Sequence, residues 1–178
     1  VVIGYDLNRD ILLLRSGDNP RELVHARVFH RTWKRADNWG MIALPPEEIP
    51  DHLDPDFYLR AIAKMETIGM TRQARKAYES ALVQWPDNPI ALFGLGNTAY
   101  TMGDLKAAEK AFRRLYQIQP KSPAVINNLA VVLSDSGCHE EAIKMINRAL
   151  SSNDVGEPFR QRLVQTRKEI NKKESQGK

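Results

Sequence analysis

The chain has 178 residues, 42% hydrophobic and 27% charged, a composition typical of one large or two small globular domains. No apolar run approaches the roughly 18 residues that a membrane span needs, and the single cysteine, Cys138, excludes an internal disulfide framework and a cysteine-rich zinc site. The net charge of +4 comes from residues 157–178, which hold 7 Lys and Arg against 3 Asp and Glu. Nucleic-acid binding requires a basic face on the folded body. We therefore expect no nucleic-acid partner.

The first strands are predicted at the start of the chain. Residues 1–7 and 11–17 are short, almost wholly apolar runs separated by Asn8-Arg9-Asp10, a composition typical of a turn. This pattern predicts a hairpin of interior strands. Residues 21–26 alternate between polar and apolar side chains and indicate a third strand.

A short helix and one more strand are predicted to follow. Residues 27–36 predict a helix whose Val28, Phe29 and Trp33 face inward, and residues 39–44 predict a strand that ends before two prolines. Residues 1–50 are too few for a self-sufficient core. We therefore expect this α+β region to be the end of a domain that begins upstream, or else to pack against the helices that follow.

The strands and short helix, with Gly4-Tyr5-Asp6 at the end of the first strand, resemble the C-terminal part of a papain-like, double-glycine-peptidase-type cysteine peptidase domain. The resemblance covers residues 1–45. It implies a nucleophilic Cys far upstream, a catalytic His just before the first strand, and an orienting third member near Ser16 or Asp18. Because that Cys and that His are not among these residues, we expect no peptide hydrolysis by this chain alone, whereas a longer parent protein could be a cysteine peptidase. The resemblance also suggests a bacterial cell envelope or periplasm.

The remainder of the chain repeats every 34 residues. Four kinds of residue recur at this offset: capping residues followed by proline, turn glycines, small alanines, and large apolar residues. The recurring sets are Asp54-Pro55, Asn88-Pro89 and Ser122-Pro123; Gly69, Gly103 and Gly137; Ala74, Ala108 and Ala142; and Tyr78, Phe112 and Ile146. Capping residues and proline begin helices, and glycine suits a tight turn. Each unit is therefore predicted to be a pair of helices.

Residues 55–156 resemble the tetratricopeptide repeat. The second unit carries most of the pattern, with Leu92, Leu95-Gly96, Tyr100, Gly103-Asp104, Ala108, Phe112 and Pro120. The fold class predicted is therefore mainly α: a three-repeat helical solenoid (55–88, 89–122 and 123–156) with a capping helix over 157–174, preceded by the α+β remnant. The solenoid domain spans 51–174, and we expect residues 175–178 to be disordered.

The resemblance implies a peptide-binding groove lined by the first helix of each repeat. In peptide-binding members of the family, residues matching Asn97 and Asn128 hydrogen-bond the ligand backbone. The groove positions are Arg60, Ala63, Phe93, Asn97, Tyr100, Thr101, Asn127, Asn128 and Val131. Arg60 is the only cation among them, which disfavours an acidic-tail ligand.

Sites of other kinds are not indicated. The histidines lack metal-ligand spacing, Cys138-His139 fits a solvated turn, and Gly94-Leu95-Gly96 lies inside a predicted helix without the strand that phosphate binding requires. We expect no metal and no cofactor. Three interpretations remain: a module that binds a protein or peptide, an active thiol peptidase with structural repeats, and a scaffold without enzymatic ancestry. The oligomeric state is left open.

Overall fold

The computed structural model describes residues 1–38, 40, 44–152 and 154–176. It divides into two compact units, Val1–Ala43 and Leu44–Lys178. The domain boundary expected at residue 50 stays a prediction. No helix within the described ranges is long and apolar enough to span a membrane.

The first unit contains a three-stranded antiparallel sheet followed by one helix. The strands lie side by side in chain order. Their bounds, with that of the helix, are β1 Val2–Asp6, β2 Ile11–Ser16, β3 Asn19–His25 and α1 Ala26–Lys34. The Oδ1 atom of Asp6 accepts the backbone N–H groups of Asn8 and Arg9 and so closes the first turn. The first three predicted strands and the short helix are confirmed. The predicted interior position of the first hairpin is wrong, because Val2 and Ile3 of β1 are each 46% exposed and Tyr5 is 72% exposed.

The predicted inward orientation of α1 is wrong for two of its three apolar residues. Val28 is 55% exposed and Trp33 is 37% exposed, and only Phe29 is partly buried. A single short helix covers too little of a sheet this size to bury all of its own apolar side chains. The strand predicted over 39–44 falls largely outside the described residues, and it stays a prediction.

The second unit begins with three consecutive pairs of helices and ends with a single one. Neighbouring helices of each pair are joined by three-residue turns. Their bounds are α2 Pro55–Thr67 and α3 Thr71–Gln84, α4 Pro89–Thr101 and α5 Leu105–Ile118, α6 Pro123–Asp135 and α7 His139–Leu150, and finally α8 Glu157–Gln176. The predicted three-repeat solenoid with a capping helix is confirmed.

Local residues set these helix boundaries as predicted, with one exception. The side chains of Asp54 and Asn88 accept backbone N–H groups at the starts of α2 and α4 and thereby satisfy donors that have no partner in the first turn. Ser122 occupies the same position before α6 but makes no side-chain capping bond. Gly103, like its equivalents in the other repeats, has a positive φ of 77° in the turn between paired helices, which glycine adopts without steric cost.

Close helix approach explains the two glycines of α4. A Cβ atom built on Gly94 would lie 2.1 Å from the Tyr78 ring of α3, and one on Gly96 would lie 2.6 Å from the Phe112 ring of α5. Only glycine leaves room for both aromatic rings. Tyr78 and Phe112 are themselves fully buried, as the predicted column of large apolar residues requires.

The terminal helix α8 closes the core and extends further than predicted. Leu163 and Ile170 are buried in the cluster that contains repeats two and three. Most of the outward residues are polar, as a solenoid cap requires, although Phe159 in the first turn is 45% exposed. Ser175, expected to be disordered, lies in the last turn and its hydroxyl donates to the carbonyl oxygen of Lys172. The helix therefore runs to Gln176, because its C-terminal turn remains hydrogen-bonded.

Ion pairs connect the second helices of successive repeats. Arg75 of α3 contacts Asp104 at 2.8 Å, and Arg113 of α5 contacts Glu141 of α7 through two hydrogen bonds of 2.7 and 2.8 Å. Arg114 contacts Asp87 at 2.9 Å. These contacts fix the stacking of one repeat on the next.

Candidate functional site

Two adjoining pockets lie along the first helices of the repeats, and together we call them the groove. The first pocket has a volume of 490 Å³ and lies between α2, α4 and α6, with Ile90, Phe93 and Val125 among its lining residues. The second pocket has a volume of 220 Å³ and lies between α4 and α6, with Tyr100 and Val131 among its lining residues.

Asn97 lines both pockets and thus occupies the middle of the groove. The Nδ2 atom of Asn128 donates a hydrogen bond of 3.0 Å to the Oδ1 atom of Asn97. The Nδ2 atom of Asn97 donates to no described atom. The pair therefore offers a free amide donor in the middle of the groove, and such a donor can bind a carbonyl oxygen.

The structure brings together most of the residues predicted for the groove. Those that line one or both pockets are Ala63, Phe93, Asn97, Tyr100, Asn128 and Val131. Arg60 and Thr101 line neither pocket. The guanidinium of Arg60 instead donates to the backbone oxygen of Asp56, and the hydroxyl of Thr101 donates to that of Asn97.

The structure corrects the placement of Asn127. Its side chain is only 7% exposed, and its Oδ1 atom accepts a hydrogen bond of 2.8 Å from the buried hydroxyl of Thr166 on α8. Asn127 therefore holds the capping helix onto α6 and is unavailable to a ligand. The repeat period gave no signal for this burial, because in the same column Leu59 is fully buried whereas Phe93 lines the first pocket.

Asp135 is a residue that the sequence analysis missed. Its carboxylate accepts hydrogen bonds from the hydroxyl of Tyr100 on α4 and from the ammonium group of Lys173 on α8. The pKa of Asp135 is lowered, because these bonds outweigh the opposing effect of its partial burial. Asp135 occupies the same repeat column as Thr101, so the 34-residue period pointed to it. Nothing in the repeat pattern predicted the contact between Lys173 and Asp135.

Carboxylate contacts also alter the tyrosines of the groove. The bond to Asp135, together with partial burial, raises the pKa of Tyr100 to about 12. Burial and a hydrogen bond to the Glu66 carboxylate raise the pKa of Tyr78, whose ring lines the first pocket. Both tyrosines are neutral near pH 7, and the two carboxylates in contact with them are already hydrogen-bonded within the protein.

The described residues of the first unit include both candidate positions for a third catalytic member. Ser16 ends β2 and Asp18 lies in the following turn, and both are exposed. Cys138, in the second unit, is an exposed free thiol at the turn before α7. Across the described ranges, no group of three or more His, Cys, Asp or Glu side chains is arranged to hold a metal ion.

Comparison with known proteins agrees with the fold. Models of the tetratricopeptide repeat match residues 68–123 and 99–158. The chain carries tetratricopeptide repeats. Among solved structures, the fold is similar to that of the type III secretion chaperone SycD of Yersinia enterocolitica, solved in complex with a peptide of the translocator YopD. The TM-score is 0.60 at 17% sequence identity, and the match covers 70% of this chain and 99% of that chain. The structure of MamA AMB-1 is also similar, with a TM-score of 0.55 at 20% sequence identity. The match covers 71% of this chain and 69% of that chain.

One curated relative is also similar to this tetratricopeptide-repeat chain. The probable biofilm formation methyltransferase WspC of Pseudomonas putida is 29% identical over 91 residues, which are 51% of this chain. The chain spans only 22% of the length of that relative.

Proposed function

We propose that the solenoid is a protein-interaction module that binds an extended peptide segment in its groove. The observation that carries this proposal is the Asn97–Asn128 pair between the two pockets, with a free amide donor on Asn97. A peptide backbone offers a carbonyl oxygen at every residue, and each neutral hydrogen bond contributes about 0.5–1.5 kcal/mol. Several such bonds plus apolar burial fit binding in the micromolar range.

The chemistry of the pockets favours an uncharged, partly apolar segment. Phe93 and Val125 offer apolar surface in the first pocket, and Val131 does so in the second. Among the described residues that line either pocket, Glu66 is the only charged one, and its carboxylate is engaged by Tyr78. A ligand that carried a charge into these pockets would lose hydration without gaining a free partner.

The likeness to SycD supports the same class of function. That chaperone was solved in complex with a translocator peptide, and the present chain covers almost the whole of it. The likeness itself concerns the fold, and the residues of the groove are the reason to extend peptide binding to this chain.

Peptide-array binding tests the proposal with the double variant Asn97→Ala/Asn128→Ala. We expect the wild type to select particular peptides and the double variant to lose at least about ten-fold in affinity, because both the free amide donor of Asn97 and the Asn128 side chain that orients it are removed. Asn171→Ala is the matched control, since Asn171 is exposed on α8 and lines neither pocket. Equal and unselective binding by all three proteins would contradict peptide recognition by this groove.

A second candidate function concerns the parent protein. The antiparallel hairpin in which β1 ends at Gly4-Tyr5-Asp6 supports attachment of the repeats to a cysteine-peptidase-like domain, with Ser16 or Asp18 as the third catalytic position. The repeats would then present a substrate or stabilise the enzyme. Thiol-dependent peptidase activity of the longer protein, abolished by replacing an upstream Cys, is the expected result. An upstream sequence without such a Cys would overturn it.

A nucleic-acid partner is not part of either proposal. The excess of positive charge lies on α8 and the residues after it, while residues 1–50 and residues 51–156 each hold equal numbers of basic and acidic side chains. We expect binding to a duplex oligonucleotide at physiological salt to be no tighter than nonspecific contact.

A further inference from the structure

The junction between repeats two and three lacks an ion pair that the previous junction has. At the first junction, Arg114 of α5 contacts Asp87, which lies in the loop after α3, at 2.9 Å. One period of 34 residues later, the two positions hold Arg148 and Lys121. An attractive pair is thus replaced by two cations, and like charges in proximity repel one another unless an anion joins them.

Both cations line one pocket of 290 Å³. Its apolar lining includes Ile126, Met145 and Val155, where Met145 replaces the smaller Ala111 of the preceding repeat. None of its lining residues lines the groove. The pocket is therefore a separate feature, created where the repeats depart from their own pattern.

The cations of this pocket are poorly neutralised within the chain. Asp154 approaches Lys121 at 3.6 Å, but the two side chains are 71% and 87% exposed, and ion pairs this exposed contribute little. Arg148 makes no hydrogen bond and no ion pair with any residue in the described ranges. An incoming carboxylate would meet a guanidinium that can donate two parallel hydrogen bonds.

We propose that this pocket is a second docking site, which binds an acidic segment of a partner protein. An Asp or Glu of the partner would pair with Arg148 and Lys121, and a neighbouring Leu or Phe of the partner would contact Ile126, Met145 and Val155. The pocket is at the small end of the range for small-molecule sites, and one apolar side chain of a larger chain suits it better than a separate ligand. The site is independent of peptide binding in the groove.

The decisive variant is Lys121→Asp, because it recreates the arrangement of the first junction. The new aspartate would pair with Arg148, as Asp87 pairs with Arg114, so we expect an unchanged or raised melting temperature together with loss of binding. The probes are fluorescein-labelled hexapeptides that contain Glu-Leu or Asp-Phe, with Gln-Leu and Asn-Phe peptides as neutral matches. Fluorescence anisotropy in 0.15 M salt should show at least about ten-fold weaker binding of the acidic peptides to Lys121→Asp.

Lys144→Asp is the matched control. It makes the same change in net charge at an exposed position of α7 that does not line the pocket, and we expect it to weaken binding less than two-fold in 0.15 M salt, where distant charges are screened. Equal weakening by both variants, equal binding of neutral and acidic peptides, or full competition by millimolar inorganic phosphate would each overturn the proposal. A dimer that Lys121→Asp dissociates, with no peptide binding, would assign the pocket to a second copy of the chain instead.

Discussion

At the scale of single residues, adjacent side chains on α6 have opposite roles. Asn128 faces the groove and pairs with Asn97, whereas Asn127 is buried and bonded to Thr166. A step of one residue turns a helix by about 100°, so identical amides one position apart meet different surroundings. Neither residue type nor the repeat column, which holds both the buried Leu59 and the groove residue Phe93, predicts the difference.

Gly94 provides a test of close packing at this scale. We expect Gly94→Ala to lower the free energy of unfolding by about 1–3 kcal/mol, because the new methyl group overlaps the Tyr78 ring. In a Tyr78→Leu background the same change should instead be neutral or stabilising by up to about 1 kcal/mol, since alanine favours helix over glycine. Urea unfolding followed by circular dichroism measures both, and the same cost in the two backgrounds would refute the clash.

At the scale of helices, equivalent positions in successive repeats differ in whether their side chains cap the helix. Asn88 accepts two backbone N–H groups at the start of α4, whereas Ser122, one period later, makes no side-chain bond at the start of α6. The proline that follows each residue begins the helix in both cases. The two helices therefore begin at equivalent positions, but only α4 is stabilised by side-chain capping bonds.

A matched pair of substitutions tests this difference in capping. We expect Asn88→Ala to reduce the free energy of unfolding by about 1 kcal/mol, because two first-turn donors lose their acceptor. Ser122→Ala should cost less than half as much. Thermal unfolding by calorimetry measures both changes, and equal costs would show that the side-chain bonds of Asn88 contribute nothing.

At the scale of the whole solenoid, polar contacts join repeats that share a continuous apolar core. On one side Arg113 holds Glu141 of the next repeat, and on the groove side Asp135 joins α4, α6 and α8 through Tyr100 and Lys173. Because repeat stability includes a term for each interface between neighbours, these contacts affect the whole array.

The Arg113–Glu141 contact predicts a pH dependence of stability. Two hydrogen bonds from Arg113 lower the pKa of Glu141 below its ordinary value of 4.5. A carboxyl group with a lowered pKa in the folded state stabilises the fold above the unfolded pKa, and the contribution disappears as the pH falls through the folded value. Both side chains are partly exposed, so the contribution at pH 7 should be at most about 1 kcal/mol.

The variant Glu141→Gln measures that contribution. We expect the wild type to exceed the variant in unfolding free energy at pH 7, and the difference to vanish as the pH is lowered well below 4.5. Glu140→Gln is the control, since Glu140 forms no ion pair within the described ranges, and it should leave the pH profile unchanged. A Glu141→Gln profile parallel to that of the wild type would contradict the assignment.

The sequence by itself determined the three repeats, their helix boundaries and most groove positions. These features depend on local signals, namely the capping residues, turn glycines and helical periodicity, and they recur at a constant spacing. Only the tertiary structure decided that Asn127 is buried, that Lys173 reaches Asp135, and that Lys121 and Arg148 share a pocket. Those contacts join residues some 27 to 39 positions apart, and their existence depends on how far each helix shifts and rotates on its neighbour, which no local pattern specifies.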